Sequence, residues 1–126
     1  MSIVQNRSRR KPSGGRNRAS FTKRVHALGR LPTHTTVGQK RESIIRTRGG
    51  DIKIVLLSSE EVNVYDSKEK KYKMVKIKNV VDNPANRNFV RRNIITKGTI
   101  IDTEIGKVRV TNRPGQEGAI NGVLVQ

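Results

Sequence analysis

The fold is set by the stretch 99–111, which reads Thr99-Ile100-Ile101-Asp102-Thr103-Glu104-Ile105-Gly106-Lys107-Val108-Arg109-Val110-Thr111. Apolar and polar residues alternate on both sides of Gly106, and a period of two residues is typical of a half-buried β-strand. The glycine suits a tight turn between two such strands. We therefore predict a hairpin with one buried and one solvent-facing side. The residues predicted to point inward are Ile101, Ile105, Val108 and Val110, and those predicted to point outward are Asp102, Glu104, Lys107 and Arg109.

Strand patterns recur throughout the chain that surrounds this hairpin. Residues 43–48 and 51–57 flank Gly49-Gly50 and form a second hairpin candidate. Further strands are predicted over 62–65, 72–81 and 120–125, and one short helix over 84–92, with Asn83 as its cap and Pro84 at its first position. About six short strands separated by turn signals favour a mostly β fold, a small closed β-barrel with one short helix.

Positive charge dominates the composition. The 126 residues include 27 Lys and Arg but only 10 Asp and Glu, which gives a net charge of +17. A compact protein with this charge repels itself unless a polyanion neutralises it, so we expect nucleic acid, an anionic membrane or an acidic protein as the partner. No apolar run is long enough to span a bilayer, and no apolar stretch follows the charged N-terminus as a signal peptide requires. We expect a soluble, cytoplasmic protein without a membrane partner.

The charge is concentrated in the first part of the sequence. Residues 1–50 carry 13 Lys and Arg and a single acid, Glu42, whereas residues 51–126 carry 14 Lys and Arg and nine acids. The segment 9–18 lacks the apolar residues needed to offset the entropy of ordering it. We therefore predict a basic N-terminal arm over residues 1–42, irregular and disordered without RNA, followed by a barrel domain over residues 43–126. Fully extended at about 3.3 Å per residue, the arm reaches on the order of 130 Å.

The sequence contains little that could support a metal site or a redox centre. It has no cysteine, which excludes disulfides, zinc ribbons and thiol nucleophiles. His26 and His34 are the only histidines, and they lie in the predicted arm without a carboxylate nearby. Because a metal ion needs three or four ligands in fixed geometry, we predict neither a metal nor another cofactor.

The sequence also lacks motifs for nucleotide hydrolysis and for acid–base catalysis. A phosphate-binding loop requires Gly, four residues and then Gly-Lys-Ser/Thr, but Gly106-Lys107 is followed by Val108 and position 101 is not glycine. Asp102 and Glu104 share a strand face, and their alternation with apolar residues places them in solvent, whereas paired carboxylates used in acid–base chemistry need at least one that is buried. We therefore predict that the chain is not an enzyme and has no small-molecule substrate.

Basic clusters remain as the functional candidates. Arg46 and Arg48 lead into Gly49-Gly50, where the backbone can approach a phosphate closely. Arg87 and Arg91 are separated by one helical turn and should share a face. The predicted RNA-binding residues of the arm are Arg7, Arg9, Arg10, Lys11, Arg16, Arg18, Lys23, Arg24 and Arg30. Those of the barrel domain are Arg46, Arg48, Arg87, Arg91, Arg92, Lys97 and Arg113.

Structured RNA is the partner that these clusters favour. Arginine outnumbers lysine in the arm, and guanidinium groups bind phosphates in bidentate fashion and stack on splayed bases. No recognition-helix pattern for the DNA major groove is present. The four aromatic residues, Phe21, Tyr65, Tyr72 and Phe89, are too few for a platform that stacks a long single strand.

Six motifs in the sequence are also typical of a known family. In chain order, they are Arg10-Lys11-Pro12-Ser13-Gly14-Gly15-Arg16, Ile45-Arg46-Thr47-Arg48-Gly49-Gly50, Asn63-Val64-Tyr65-Asp66, Val80-Val81-Asp82-Asn83-Pro84-Ala85-Asn86, Val90-Arg91-Arg92-Asn93-Ile94-Ile95-Thr96-Lys97-Gly98 and Val110-Thr111-Asn112-Arg113-Pro114-Gly115-Gln116-Glu117-Gly118. With these motifs the sequence resembles the archaeal and eukaryotic small-subunit ribosomal protein eight family. Essentially the whole chain takes part in this resemblance, and its compact length is similar to the archaeal form.

The resemblance implies a structural constituent of the small ribosomal subunit that binds ribosomal RNA and contacts neighbouring ribosomal proteins. It also implies a β-barrel body with an extended arm, and we expect no homo-oligomer. A free RNA chaperone or a nucleoid-type nucleic-acid-binding protein is the alternative, since charge alone supports either. An RNA-processing enzyme would need a metal or acid–base constellation that we do not find in the sequence.

Overall fold

A computed structural model of the chain describes residues 3–18, 22 and 24–125. The chain divides into two compact units, Met1–Pro32 and Thr33–Gln126. The division falls after Pro32, whereas we predict an arm that extends to residue 42. The extent of the arm and its disorder without RNA stay predictions.

The first unit contains short, locally bonded elements. Strand β1 (Ile3–Val4) pairs antiparallel with β2 (Leu28–Gly29), and a 3₁₀ helix over Val25–Ala27 comes directly before β2. Residues 9–17 fold back on themselves around an isolated antiparallel bridge between Arg10 and Arg16. The Asn17 backbone N–H donates to the Arg9 carbonyl at 2.9 Å. Gly14 has φ of +86°, which a residue with a side chain rarely adopts, so this glycine permits the tight reversal.

A three-stranded sheet opens the second unit. Its strands are β3 (Thr36–Val37), β4 (Arg41–Arg46) and β5 (Ile52–Ser59), in the order β3-β5-β4. The β4–β5 pair is antiparallel and turns at 47–51, which confirms the hairpin predicted around Gly49-Gly50. This hairpin belongs to its own sheet rather than to the barrel, so the barrel has five strands where about six were predicted.

The barrel is closed by a parallel pairing between its first and last strands. It consists of β6 (Glu61–Asp66), β7 (Lys71–Asp82), β8 (Ile100–Thr103), β9 (Gly106–Val110) and β10 (Asn121–Leu124), in the order β10-β6-β7-β8-β9. Strand β10 pairs parallel with β6 and antiparallel with β9, so both edges of the ladder are used. The mostly β fold with a closed barrel and one short helix is confirmed.

Aliphatic side chains fill the barrel because alternate residues of each strand point inward. Val64, Ile101 and Val108 are completely inaccessible to solvent. Each such side chain contributes about 1.5–3 kcal/mol of burial free energy. The core cluster comprises Leu56, Val62, Val64, Val75, Ile77, Val80, Ile95, Ile101, Val108, Val110 and Ile120.

Two local predictions are corrected. Ile105 was expected to point inward but is 42% exposed, because β8 ends at Thr103 and the chain turns at Glu104 and Ile105. The Thr103 hydroxyl donates to the Gly106 carbonyl at 2.7 Å, and Gly106 already belongs to β9. The helix is shorter than predicted: α1 spans Asn88–Arg91, and its N-cap position is occupied by Arg87 rather than by Asn83.

The strand directions separate the connections into two groups. Asp82 at the end of β7 is opposite Ile100 at the start of β8, and the Val110 N–H at the end of β9 donates to the Thr99 carbonyl. The long connections 83–99 and 111–120 therefore leave the same end of the barrel. The short turns 67–70 and 104–105 lie at the other end.

Candidate RNA interface

The cations of the first unit are exposed and have no carboxylate within their own unit. The side chains of Arg7, Arg9, Arg10, Lys11, Arg16, Arg18, Arg24 and Arg30 are all solvent-exposed. Residues 1–32 contain no Asp or Glu, so all 10 acids of the chain belong to the second unit. Lys23, also predicted to bind RNA, lies outside the described residues.

Two of these arginines also organise the backbone. The Arg10 Nη1 donates to the Gly14 carbonyl at 2.9 Å, and the Arg7 Nη2 donates to the Arg18 carbonyl at 2.9 Å. A guanidinium has five N–H donors, so one bond to a carbonyl leaves the others for phosphate oxygens. These two arginines therefore both shape the backbone and present charge.

The connection 83–99 places four of the predicted cations at one end of the barrel. Arg87 has helical backbone angles at the start of α1, so Arg91, one helical turn later, lies on the same side. Arg92 follows at the end of the helix, and Gly98, next to Lys97, packs against Pro84 at the start of the same connection. Arg87, Arg91, Arg92 and Lys97 are all exposed.

A buried polar network fixes the shape of this connection. Asn83 is only 2% exposed, and its Nδ2 donates to the Ile94 carbonyl at 3.1 Å. The Asn83 Oδ1 accepts from the Ala85 N–H at 3.0 Å and from the Thr96 hydroxyl at 3.0 Å. Thr99 joins the network by accepting from the Thr96 N–H. Buried polar groups satisfied in this way hold a loop in one arrangement, so the cations are presented on a fixed frame.

Arg113 lies on the second connection at the same end of the barrel. The Arg113 carbonyl accepts from the Gln116 and Glu117 N–H groups at 2.9 and 3.1 Å, which forms a turn. The Leu56 N–H donates to the Pro114 carbonyl at 3.2 Å, and the Lys53 ammonium donates to the Gln116 side chain. These bonds hold the loop along β5 while the Arg113 side chain stays exposed.

The structure therefore divides the seven predicted cations of the barrel domain into two groups. Arg87, Arg91, Arg92, Lys97 and Arg113 lie on connections that share one end of the barrel. Arg46 and Arg48 lie at the tip of the β4–β5 hairpin, at the far end of β5 from the barrel, and both are exposed. β5 is eight residues long, about 26 Å, and the 111–120 loop contacts it at Leu56 and Lys53, so this loop extends from the barrel end toward the hairpin tip.

The ion pairs seen in the structure use other lysines. Lys40 contacts Glu42 at 2.8 Å and Lys73 contacts Glu69 at 2.7 Å. The hydrogen bond to the Glu42 carboxylate raises the pKa of Lys40, and the one to Glu69 raises the pKa of Lys73. Within residues 24–125, where the chain is described without a gap, Arg87, Arg91, Arg92, Lys97 and Arg113 form no salt bridge.

The histidines and carboxylates are not arranged as a metal site. Among residues 3–18, 22 and 24–125, no three His, Cys, Asp or Glu side chains are grouped closely enough to hold a metal ion. His34 packs edge-on against Phe89, with ring centroids 5.4 Å apart, which gives it a structural contact. None of the helices that these residues form has the length and apolar character needed to cross a membrane.

One exposed feature was missed by the sequence reasoning. Tyr65 and Tyr72 are cross-strand partners on β6 and β7, and their ring centroids are 4.9 Å apart on the outside of the barrel. The sequence signal was present, because both residues lie equally far from the polar turn 67–70. Counting aromatics without pairing them across that turn concealed it.

Comparisons with known proteins identify the family of this chain. The family model of ribosomal protein S8e matches residues 4–125. A small ribosomal subunit protein eS8 from Picrophilus torridus is 47% identical over 125 residues, which cover 99% of this chain and 100% of the relative. The protein of the same name from Methanobrevibacter smithii is 48% identical with the same coverage. The resemblance predicted from the motifs is thus confirmed, and the chain belongs to the ribosomal protein S8e family.

Proposed function

We propose that this protein is a structural constituent of the small ribosomal subunit that binds ribosomal RNA by neutralising its phosphates. The relatives from Picrophilus torridus and Methanobrevibacter smithii are named small ribosomal subunit proteins, and they align along their whole length. The family is one of structural ribosomal proteins, so the chain is not an enzyme. Its place is in the ribosome in the cytoplasm, beside other ribosomal proteins and without self-association.

The observation that carries the proposal is the segregation of charge. Residues 1–32 hold nine Lys and Arg and no acid, in a unit with few apolar residues. RNA helices that pack together bring phosphates close, and a basic segment between them removes the repulsion and releases counterions. The arm, which we take as residues 1–42, fits this role because it is strongly basic.

The barrel supplies the second contact. Five exposed cations lie on the connections 83–99 and 111–120 at one barrel end, held by the Asn83 network and by the contacts of the 111–120 loop with β5. A rigid frame lowers the entropy lost when these side chains bind phosphates. The barrel end therefore anchors the protein on the RNA surface, while Arg46 and Arg48 extend the contact along the β4–β5 hairpin.

Sedimentation of a native lysate tests the ribosomal role. The protein should travel with the small subunit through a density gradient and remain there after a moderate salt wash. Release as a free protein at low salt, or spreading with bulk nucleic acid, would contradict the proposal. That outcome would favour the free RNA chaperone or the nucleoid-type protein.

A salt titration tests the mechanism. If about ten phosphates are neutralised, the logarithm of the binding constant for ribosomal RNA should fall with the logarithm of salt concentration at a slope of roughly −7 to −9. Duplex DNA of unrelated sequence is the control and should bind more weakly at equal salt. A nearly salt-independent constant would contradict phosphate neutralisation, and equal affinity for the duplex DNA would favour the nucleoid-type alternative.

A further inference from the structure

Two of the four aromatic residues of the chain lie together on the outer surface of the barrel. Tyr65 and Tyr72 face each other across β6 and β7, with ring centroids 4.9 Å apart and planes inclined by 43°. Tyr72 is 79% exposed, whereas the core cluster is made of aliphatic residues alone. Burial in the core therefore does not explain this pair, and exposed aromatic surface of this kind is typical of a binding site.

Strand register extends the pair into a row across four strands. Tyr65 is the partner of Val123 on β10, and Val123 is the partner of Arg109 on β9. The row therefore runs Tyr72, Tyr65, Val123, Arg109. Its side chains point outward because residues next to them in each strand, such as Val64 and Val110, are buried.

A second outward row lies beside the first and combines the exposed apolar side chain of Met74 with polar groups. Met74 on β7 is opposite Asn63 on β6, which is opposite Asn121 on β10. The Asn63 Nδ2 donates to the Asn121 Oδ1 at 3.1 Å, and the Thr111 hydroxyl donates to the Asn121 carbonyl at 3.2 Å. The paired amides keep the Asn63 oxygen as an acceptor and the Asn121 NH₂ as a donor. Adjacent donors and acceptors of this kind match the edge of a nucleobase.

The two rows line a cleft that continues toward the cations of the barrel. This open cleft of about 590 Å³ is lined by Tyr65, Tyr72, Asn63 and Asn121 among others. It shares Thr111 and Val123 with a second cleft of about 700 Å³, which is lined by Arg109 and Lys97. Neither cleft has a carboxylate among the described residues that line it.

The arrangement separates an aromatic end from a cationic end. Arg109 lies two strands from Tyr65 and three strands from Tyr72, which are strand spacings of about 10 and 14 Å. Lys73 also borders the aromatic end, but its charge is already paired with Glu69, so Arg109 and Lys97 supply the positive charge of the site. A flat aromatic surface, hydrogen-bonding groups at its edge and a cation beyond it match the base, the base edge and the phosphate of a nucleotide.

We propose that this outer face binds one unpaired nucleotide of RNA, with its base stacked on Tyr72 and a phosphate held by Arg109. The Asn63 and Asn121 amides contact the edge of the base, and Lys97 neutralises the next phosphate. The proposal rests on the proposed function for its ligand, RNA, and adds to phosphate neutralisation a site that contacts a base. Four aromatics are too few to stack a long strand, but two are enough for a single base.

RNA fits this face better than a second protein. A protein docking site is usually apolar at its centre, whereas here the second row presents amides between the aromatic pair and Thr111. The nearby cations without lining carboxylates match a polyanion. If the face bound a protein instead, removing the bases from an RNA oligomer would not change the response of this site. The experiment therefore compares oligomers with and without bases.

The chain offers a direct probe of this site. It contains no Trp and only two Tyr, so its tyrosine fluorescence comes from Tyr65 and Tyr72 alone. Full-length protein is titrated with a short oligoadenylate and, separately, with a sugar–phosphate oligomer of equal length that lacks the bases. Stacking should quench the emission with oligoadenylate, whereas the abasic oligomer should bind through its phosphates with little quenching.

Variants assign the effect to the stacked base. Tyr72→Ala should weaken oligoadenylate binding about tenfold, measured by the anisotropy of labelled RNA, because stacking on one aromatic ring is lost. Tyr72→Phe keeps the ring and should stay within about twofold of the wild type. Ile52→Ala is the matched control, since Ile52 is 71% exposed on the separate sheet, and it should leave binding unchanged.

The outcomes separate this proposal from the proposed function. Unquenched tyrosine emission, or equal affinities of Tyr72→Ala and wild type, with salt-dependent binding of ribosomal RNA retained, overturns the nucleotide site and leaves phosphate neutralisation standing. Loss of affinity in Tyr72→Phe as large as in Tyr72→Ala also overturns stacking, because the ring is still present. Failure of the wild type to bind ribosomal RNA at any salt contradicts the proposed function itself.

Discussion

The two compact units of the chain carry similar net charge but are stabilised in different ways. Residues 1–32 hold nine Lys and Arg without an acid, and they are connected by hydrogen bonds such as those of Arg10 to Gly14 and of β1 to β2. Residues 33–126 hold 18 Lys and Arg against 10 acids and enclose an aliphatic core. We therefore expect the first unit to need a polyanion that lowers its self-repulsion, whereas hydrophobic burial stabilises the second.

From this difference we expect the barrel core to determine the stability of the protein and the charges of the first unit to determine its affinity for RNA. A core substitution in the barrel should lower the free energy of unfolding and affect RNA binding only indirectly. A charge substitution in the first unit should do the reverse. The predictions below test that separation, and any substitution that alters both properties would weaken it.

The largest effect is expected from a cavity in the barrel. Ile101 is fully buried on β8, so Ile101→Ala should lower the free energy of unfolding by about 2–5 kcal/mol. Ile44→Ala is the control, because Ile44 is 72% exposed on β4, and it should change stability by less than about 0.5 kcal/mol. Urea denaturation measures both. Equal loss in the two variants would show that the barrel core does not dominate stability.

Charge removal in the first unit should act on affinity alone. Arg9, Arg16 and Arg18 are exposed, and their simultaneous change to Gln should weaken ribosomal RNA binding about a hundredfold at physiological salt and reduce the salt slope by about 2 to 3. The urea midpoint should stay the same. A matched control removes the same charge from the barrel, with Lys68 and Lys70 in the turn 67–70 and Lys71 at the start of β7 all changed to Gln. Equal loss of affinity in the control would mean that net charge, rather than the first unit, determines binding.

Adding a methyl group at a glycine should lower the free energy of unfolding in the barrel but leave it almost unchanged in the first unit. A Cβ at Gly122 would lie 2.4 Å from the Val108 Cγ1 and 3.0 Å from the Arg109 carbonyl oxygen, so Gly122→Ala should destabilise the barrel by about 1–3 kcal/mol. A Cβ at Gly15 would come no closer than 3.9 Å to the neighbouring atom Ser13 Oγ. Gly15→Ala should therefore leave the free energy of unfolding within about 0.5 kcal/mol of the wild type. A stable Gly122→Ala variant would show that β9 and β10 can separate without cost.

Much of the barrel was predictable because one face of each strand is buried. The alternation in the predicted strand 72–81 puts Val75 and Ile77 on one face and Lys76 and Lys78 on the other, and both apolar residues are buried. The alternation in 99–105 was wrong at Ile105, because the pattern continues into the turn although the strand does not. A pattern of apolar residues also does not identify the sheet that a strand joins, so the β4–β5 hairpin was counted with the barrel.

The sequence predicted which residues belong to the candidate interface, but it predicted only part of their arrangement in space. The exposed arginines and lysines follow from the sequence, since few acids are available to pair with them. Their grouping at one barrel end depends on strand direction, which brings the connections 83–99 and 111–120 together. The row from Tyr72 to Arg109 depends on the register of four strands. This includes the pairing of Tyr65 with Val123, 58 residues later in the sequence, and local patterns carry no information on such pairings.

The smallest expected effect concerns pH and again separates the two units. Lys40 and Lys73 each bond to a nearby carboxylate, which raises their pKa above the ordinary value of 10.5. Because the folded state holds these protons more tightly than the unfolded chain, their contribution to stability is complete below pH 10.5 and is lost as the pH rises through the higher folded pKa. Both lysines are exposed, so the contribution is small.

A double variant with Lys40→Gln and Lys73→Gln should therefore be slightly less stable than the wild type at neutral pH, and the difference should shrink above pH 10.5. Urea midpoints across that range measure it. The triple Gln variant of Arg9, Arg16 and Arg18 is the control, because residues 1–32 contain no carboxylate of their own. The difference in urea midpoint between this control and the wild type should not change with pH in this range. A pH-independent loss in the lysine variant would mean that these side chains act through their packed alkyl stems rather than through their charge.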